Sequence, residues 1–256
     1  MTKETKETKE TKEFIMGRNP VLEALKSNRE INKLWIAEGS QKGSIQQVIA
    51  MAKEANVLVQ FVPRKKIDQM VEGNHQGVVA SVAAYDYAEL DDLYRVAEER
   101  KEDPFFLILD EIEDPHNLGS IMRTADAVGA HGIIIPKRRA VGLTATVAKS
   151  STGAIEHIPV VRVTNLARTV DELKERGLWI FGTDAKGTVN YTKMDGSLPL
   201  GLIIGSEGKG MARLLKEKCD FLVSLPMVGK VTSLNASVAA SLLMYEVFRK
   251  RLPAGE

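Results

Sequence analysis

Cysteine is nearly absent: Cys219 is the only one in 256 residues. That excludes an intramolecular disulfide and any zinc site built from several cysteines, and it fits a reducing compartment. Long apolar runs are also missing. The longest apolar helical stretch, "ASVAASLLMYEVF" at 236–248, is too short and too interrupted to span a bilayer, and no apolar signal core stands at the start. The expectation is a cytoplasmic protein with no membrane contact. An excess of either charge is lacking as well, with 35 Lys and Arg against 34 Asp and Glu. Nucleic acid could therefore be held only by local patches, not by bulk charge. His75, His131 and His157 have no metal-ligand spacing, so no metal is expected.

The first residues, 1–13, contain a "TKE" repeat with no apolar member and read as a disordered tail. From 14 to 84 the pattern alternates: "GRNPVLEALKS" helix, "INKLWIAEG" strand, "SIQQVIAMAKEA" helix, "VLVQFVP" strand, "RKKIDQMVEG" helix, "QGVVASVAAY" strand. This predicts a small α/β domain. Residues 85–103 are dense in charge, lack a strand signal and end in Asp-Pro, which suggests a linker or a solvated helix. From 104 to 256, short apolar runs ("FFLILD", "GIIIP", "IPVVRV", "LWIFG", "LGLIIG", "FLVSLP") alternate with helical stretches. Continuous apolar strands between helices predict a parallel sheet covered on both faces. Ligands of such sheets sit beyond the carboxyl ends of the strands.

Three groups of polar residues fall at such ends. In "DPHNLGSIMRTADAVGA", Leu118, Ile121, Met122, Ala125 and Val128 form an apolar stripe while Arg123 falls on another face. Asn117 stands at the helix start, where it can cap the helix or reach a ligand. In "LGLIIGSEGKGM" a strand empties into Gly205, Ser206, Glu207, Gly208, Lys209 and Gly210, a turn open to close ligand approach or to no ligand at all. The spacing is that of neither a P-loop nor a dinucleotide fingerprint, which sets aside a nucleotide-dependent dehydrogenase. In "LPMVGKVTSLNASVAASLLMYE", Ser233 and Asn235 crowd a helix start, again as caps or ligand groups. The basic groups at 63–66, 136–139 and 249–251 are solvated faces or a phosphate footprint.

In order and wording, these three stretches resemble the three motifs of the SpoU (TrmH-like) branch of the SPOUT RNA methyltransferases. "GRNPVLEAL" and "HQGVVA" further resemble the small ribosomal-protein-like substrate-binding domain of bacterial 23S rRNA guanosine 2′-O-methyltransferases. The resemblance implies an α/β fold: a C-terminal parallel-sheet domain tied in a trefoil knot, behind a smaller N-terminal substrate-binding domain. It also implies a homodimer, S-adenosylmethionine as cofactor, and RNA rather than DNA as partner. By the same resemblance, the cofactor loops fall at Thr183, Gly205, Leu225 and Leu234, and the catalytic positions on Asn117, Arg123, Glu207, Ser233 and Asn235. A guanidinium stays protonated near neutral pH, which favours Arg123 as a phosphate clamp and stabiliser of a developing alkoxide. Glu207 is either the base or a holder of Asn117 or Arg123. The expected reaction is 2′-O-methylation of a 23S rRNA guanosine in the peptidyl-transferase region. The alternatives are a tRNA ribose methyltransferase and a non-catalytic RNA-binding protein.

Overall fold

The computed structural model describes residues 14–26, 30–40, 43–82, 85–230 and 233–253; the expected tail, 1–13, lies outside them. The chain divides into two compact units, Met1–Ala84 and Tyr85–Glu256.

The first unit runs β1 (Phe14–Met16), α1 (Arg18–Lys26), β2 (Ile31–Ala37), α2 (Ser44–Glu54), β3 (Val59–Val62), α3 (Arg64–Met70) and β4 (Val78–Val82). Its sheet has the order β1-β4-β2-β3, with β2 and β3 parallel and the other pairs antiparallel. Val21, Leu25, Ile45 and Val48 on α1 and α2 pack against Leu34, Ile36, Val78 and Ala80 of one face, while Ile67 of α3 covers Ala37, Val62 and Val79 on the other. The strand β1 escapes a reading of the sequence because three residues are too few to show alternation.

The second unit contains α4 (Leu90–Arg100), β5 (Phe105–Leu109), α5 (Pro115–Ala127), β6 (Gly132–Pro136), α6 (Ala145–Ser151), β7 (Val160–Val163), α7 (Leu166–Glu175), β8 (Trp179–Thr183), β9 (Val189–Asn190), β10 (Leu200–Ile204), α8 (Arg213–Lys218), β11 (Phe221–Ser224) and α9 (Ala236–Arg251). The strands form one sheet in the order β7-β6-β5-β10-β8-β11-β9, every pairing parallel. Its central strands β5 and β10 are apolar and buried along their whole length because both faces are covered. Along β5 the pleat sends Phe105, Leu107 and Leu109 into a core shared with α5, α6 and α9. Phe106 and Ile108 enter a second core with α4, α7 and α8. Each such side chain contributes roughly 1.5–3 kcal/mol by leaving water.

The charged stretch before β5 is more than a linker. It forms α4, closed at its start by a reciprocal capping box between Glu89 and Asp92, and it buries Ala97 and also Leu93, which joins the second core. Two apolar positions four residues apart suffice for one buried face, and the surrounding charge hides them from a compositional reading. The basic triplet at the end of α9 is largely committed inside the fold. Arg251 donates to the backbone oxygens of Gly196, Leu198, Asp103 and Pro104 at 2.9, 2.9, 2.6 and 3.3 Å. Arg249 is paired with the buried carboxylate of Glu246 at 2.7 Å.

Candidate functional site

Four adjacent strands, β5, β10, β8 and β11, deliver the site. Asp110 follows β5 and Gly205 follows β10, and the two strands pair as far as Leu109 and Ile204. The first and second motifs therefore emerge side by side. Thr183 ends β8, the next strand, and β11 leads into the third motif. Parallel strands put all these exits on one edge of the sheet.

At that edge three side chains from the three motifs meet. Asn117 Nδ2 donates to Glu207 Oε1 at 3.0 Å. Asn235 Nδ2 donates to the same oxygen at 2.5 Å and to Asn117 Oδ1 at 3.0 Å. The backbone amide of Ala236 adds a further donor to Glu207 Oε1 at 3.2 Å. One carboxylate oxygen thus gathers three donors, so Glu207 acts here as the fastener of two amide side chains.

The choice between capping and ligand contact is resolved differently at the two helices. In α5 the cap is Asp114, whose side chain accepts from the His116 amide at 2.8 Å ahead of Pro115 at the first helical position. Asn117 lies beyond the cap and is released from that task. In α9 Asn235 is itself the cap: its Oδ1 accepts from the Ser237 and Val238 amides at 2.9 and 3.3 Å, while its Nδ2 serves the cluster.

Next to the cluster is a cavity of about 370 Å³. Thr183, Gly205, Leu225 and Leu234 all line it, together with Glu207 and Ser233. Gly205 is dictated by close approach, because a Cβ there would lie 2.3 Å from the Met211 nitrogen. Gly208 and Gly210 adopt φ of +80° and +69°, which a side chain would strain. The turn is closed by the Gly210 amide donating to the Ser206 carbonyl at 2.9 Å. It is tied to the end of β5 by the Ala212 amide, which donates to Asp110 Oδ2 at 2.7 Å. Burial is the chief reason that the Asp110 carboxyl titrates above the usual carboxylate range.

Sequence reasoning missed one pair in the cavity wall. Asp184, just after β8, and Lys216 of α8 form an ion pair at 2.7 Å. The Lys216 hydrogen bond, helped by the Lys186 amide, holds the Asp184 carboxyl below its ordinary value. The signal available was the strand-to-turn step "FGTDAKG", but nothing in it specifies Lys216 as the partner. Arg123 stands apart: it is on the exposed side of α5 and is neither among the residues lining the cavity nor bonded to the cluster. Cys219 is half-buried, donates to the Leu215 carbonyl and has its thiol pushed up to about 12 by burial, which suits packing and not reactivity.

Comparison with known proteins adds names to this geometry. Residues 104–245 match the SpoU rRNA Methylase family, and residues 14–88 match the module described as RNA 2′-O ribose methyltransferase substrate binding. YacO of Bacillus subtilis (strain 168), a protein assigned to the TrmH family of tRNA/rRNA methyltransferases, is 72% identical over 244 residues, covering 95% of this chain and 98% of its own. Among solved structures, the SpoU methyltransferase AviRb from Streptomyces viridochromogenes, in complex with the cofactor AdoMet, is 28% identical with a TM-score of 0.59, covering 93% of this chain and 90% of that one. An AdoMet-bound rRNA methyltransferase from Sinorhizobium meliloti is likewise 28% identical with a TM-score of 0.59, over 94% and 88% of the two chains.

Proposed function

The chain belongs to the SpoU rRNA methylase family, and from that premise we propose that it methylates the ribose 2′-hydroxyl of a guanosine in the peptidyl-transferase region of 23S rRNA. At the coarser level it is an S-adenosylmethionine-dependent RNA methyltransferase of the tRNA/rRNA class, with RNA as its partner. The observation that carries the reading is the Asn117, Glu207 and Asn235 cluster beside a cavity walled by a glycine-rich turn.

The residues present fit the cofactor. A volume of about 370 Å³ falls within the range of roughly 300–1,000 Å³ usual for small-molecule sites. Leu225, Leu234 and Leu243 offer apolar surface to a purine, and Ser206 and Ser233 offer hydroxyls. When bound, S-adenosylmethionine supplies a methyl group activated by a positively charged sulfur. In the proposal Thr183, Gly205, Leu225 and Leu234 hold it.

Transfer requires the ribose oxygen in line with the methyl and the loss of its proton, which the Glu207 carboxylate would accept. Asn117 and Asn235 would orient the ribose, with Glu207 fixing both amides, and Ser233 would bond the ribose or the cofactor carboxylate. Arg123 would clamp a substrate phosphate and stabilise the charge developing on the 2′-oxygen. Since Arg123 lies outside the cavity of its own chain, the bound RNA or a second copy must bring the two together.

A homodimer is part of the same proposal. Val238, Leu242 and Tyr245 are 48%, 43% and 52% exposed and share one side of α9. Pairing about a two-fold axis would cover this stripe with itself; light scattering tests it. The proposed site of action is the cytoplasm.

A tRNA ribose is the second reading, since the name of the Bacillus subtilis relative covers both RNAs. The deciding experiment transfers labelled methyl to 23S rRNA and to tRNA from cells lacking the protein, then maps the modified ribose. A single 2′-O-methylguanosine in the peptidyl-transferase region supports the first reading. Labelling of tRNA alone replaces it with the second.

A further inference from the structure

The ionisable groups in the cavity wall can be accounted for one by one. They are Asp184, Glu207, Lys209 and Lys216. Asp184 and Lys216 neutralise each other at 2.7 Å. Glu207 is committed through Oε1 to Asn117, Asn235 and the Ala236 amide. Lys209 remains: its side chain is exposed, and its ammonium has no bonded or ion-paired partner among the described residues.

Its backbone, in contrast, is fixed. The Lys209 amide donates to the Glu207 carbonyl at 3.0 Å, and the Gly210 amide closes the turn onto Ser206 at 2.9 Å. The outer side of the turn is open, since a Cβ built on either Gly208 or Gly210 would meet nothing within 4 Å. An ammonium with no ion-pair partner among the described residues is thus presented at the exposed edge of the cavity, on a hydrogen-bonded turn two residues after Glu207.

We propose that Lys209 binds a backbone phosphate of the RNA strand beside the reacting ribose. The inference rests on the RNA methyltransferase reading and adds to it a named contact for the substrate strand. A phosphate is favoured over the carboxylate of a small ligand because the ammonium is at the open rim, where a strand must pass to place its ribose next to Asn117. An ammonium at a rim acts as a point charge and tolerates the variable path of a folded RNA.

The test uses the full chain with Lys209→Gln and Lys209→Arg, each checked for unchanged thermal unfolding. Lys209→Gln is expected to raise KM for RNA about three- to tenfold at moderate salt, and to reduce the slope of log affinity against log salt by about 0.7–0.9, the value of one phosphate contact. Lys209→Arg should restore both, and KM for S-adenosylmethionine should stay as in the parent. A rise in the cofactor KM with RNA affinity and salt slope unchanged would overturn the proposal and give Lys209 to the cofactor carboxylate. Unchanged constants for both substrates would overturn it outright. Failure of the parent chain to methylate any RNA would instead sink the underlying functional reading, and it would be seen before any variant is made.

Discussion

The helices α5 and α9 begin in similar ways and use their asparagines differently. Each follows a strand of the same sheet, and each brings an Asn to the Glu207 carboxylate. In α9, Asn235 divides its amide, the oxygen capping the helix and the nitrogen joining the cluster. In α5, Asp114 takes over capping and leaves both ends of the Asn117 amide to the cluster. One residue type at two helix starts therefore carries two different mixtures of folding and function, decided by whether a better cap stands three residues upstream.

The largest effect should come from removing the group that both helices share. Glu207→Ala leaves two amides without their common acceptor; because misplacing reacting groups by about 1 Å can cost on the order of 100-fold, kcat should fall by about that factor or more. Single-turnover methyl transfer measures it, and near-normal turnover would break the idea that the cluster positions anything.

Separating the two asparagines sharpens the comparison. Asn117→Ala and Asn235→Ala should both depress turnover, yet only Asn235→Ala should also lower stability, by about 1 kcal/mol for a lost helix cap. Denaturant unfolding of the two variants side by side is the check. Equal losses of stability would mean that Asn117 has a folding role its hydrogen bonds do not reveal.

Asp114→Ala is the converse variant. It should cost about 1 kcal/mol through the cap of α5 while keeping most of the activity, since Asp114 makes no bond to the cluster. Loss of turnover comparable to that of Asn117→Ala would erase the division of labour within α5.

The smallest effect concerns pH. The Asp110 carboxyl, buried at the end of β5, has its pKa raised in the folded state. A raised acid pKa means that the folded form binds the proton more tightly, so this stability is present at low pH and is lost as pH rises through the folded value. Asp110→Asn keeps an oxygen for the Ala212 amide and should flatten that loss, which sets in above the ordinary carboxylate value of about 4. An unchanged profile of stability against pH would show that the burial of Asp110 has no energetic consequence.

Much of this was legible in the chain itself. The apolar runs at 105–109, 133–135 and 200–204 read as buried strands without any partner, because a strand covered on both faces needs apolar residues throughout. The three motifs singled out Asn117, Glu207 and Asn235, and the cavity gathers Thr183, Gly205, Leu225 and Leu234. Other features were beyond reach. Asp114 could not be ranked above Asn117 as the cap, since both are good capping residues in the same turn. The Asp184 and Lys216 pair joins a loop to a helix 32 positions later in the numbering, with no local pattern to announce it. Arg123 carries the motif and its helix face could be read from the pattern, yet its separation from the cavity becomes visible only once the residues that line the cavity are brought together.

What the sequence determined by itself was local: the alternation of strand and helix, the apolar stripe of α5, the glycines at a turn with positive φ, and the order of the motifs. Those depend on side-chain pattern and backbone sterics within a few residues. What the tertiary structure alone decided was adjacency. The hydrogen bond from Asn117 to Glu207 spans 90 positions and that from Asn235 to Asn117 spans 118, and both exist because β10 inserts between β5 and β8 in the sheet. Hydrogen bonds act only at contact distance and in fixed directions, so the meeting of these three side chains is a property of strand order, which no stretch of the sequence contains on its own.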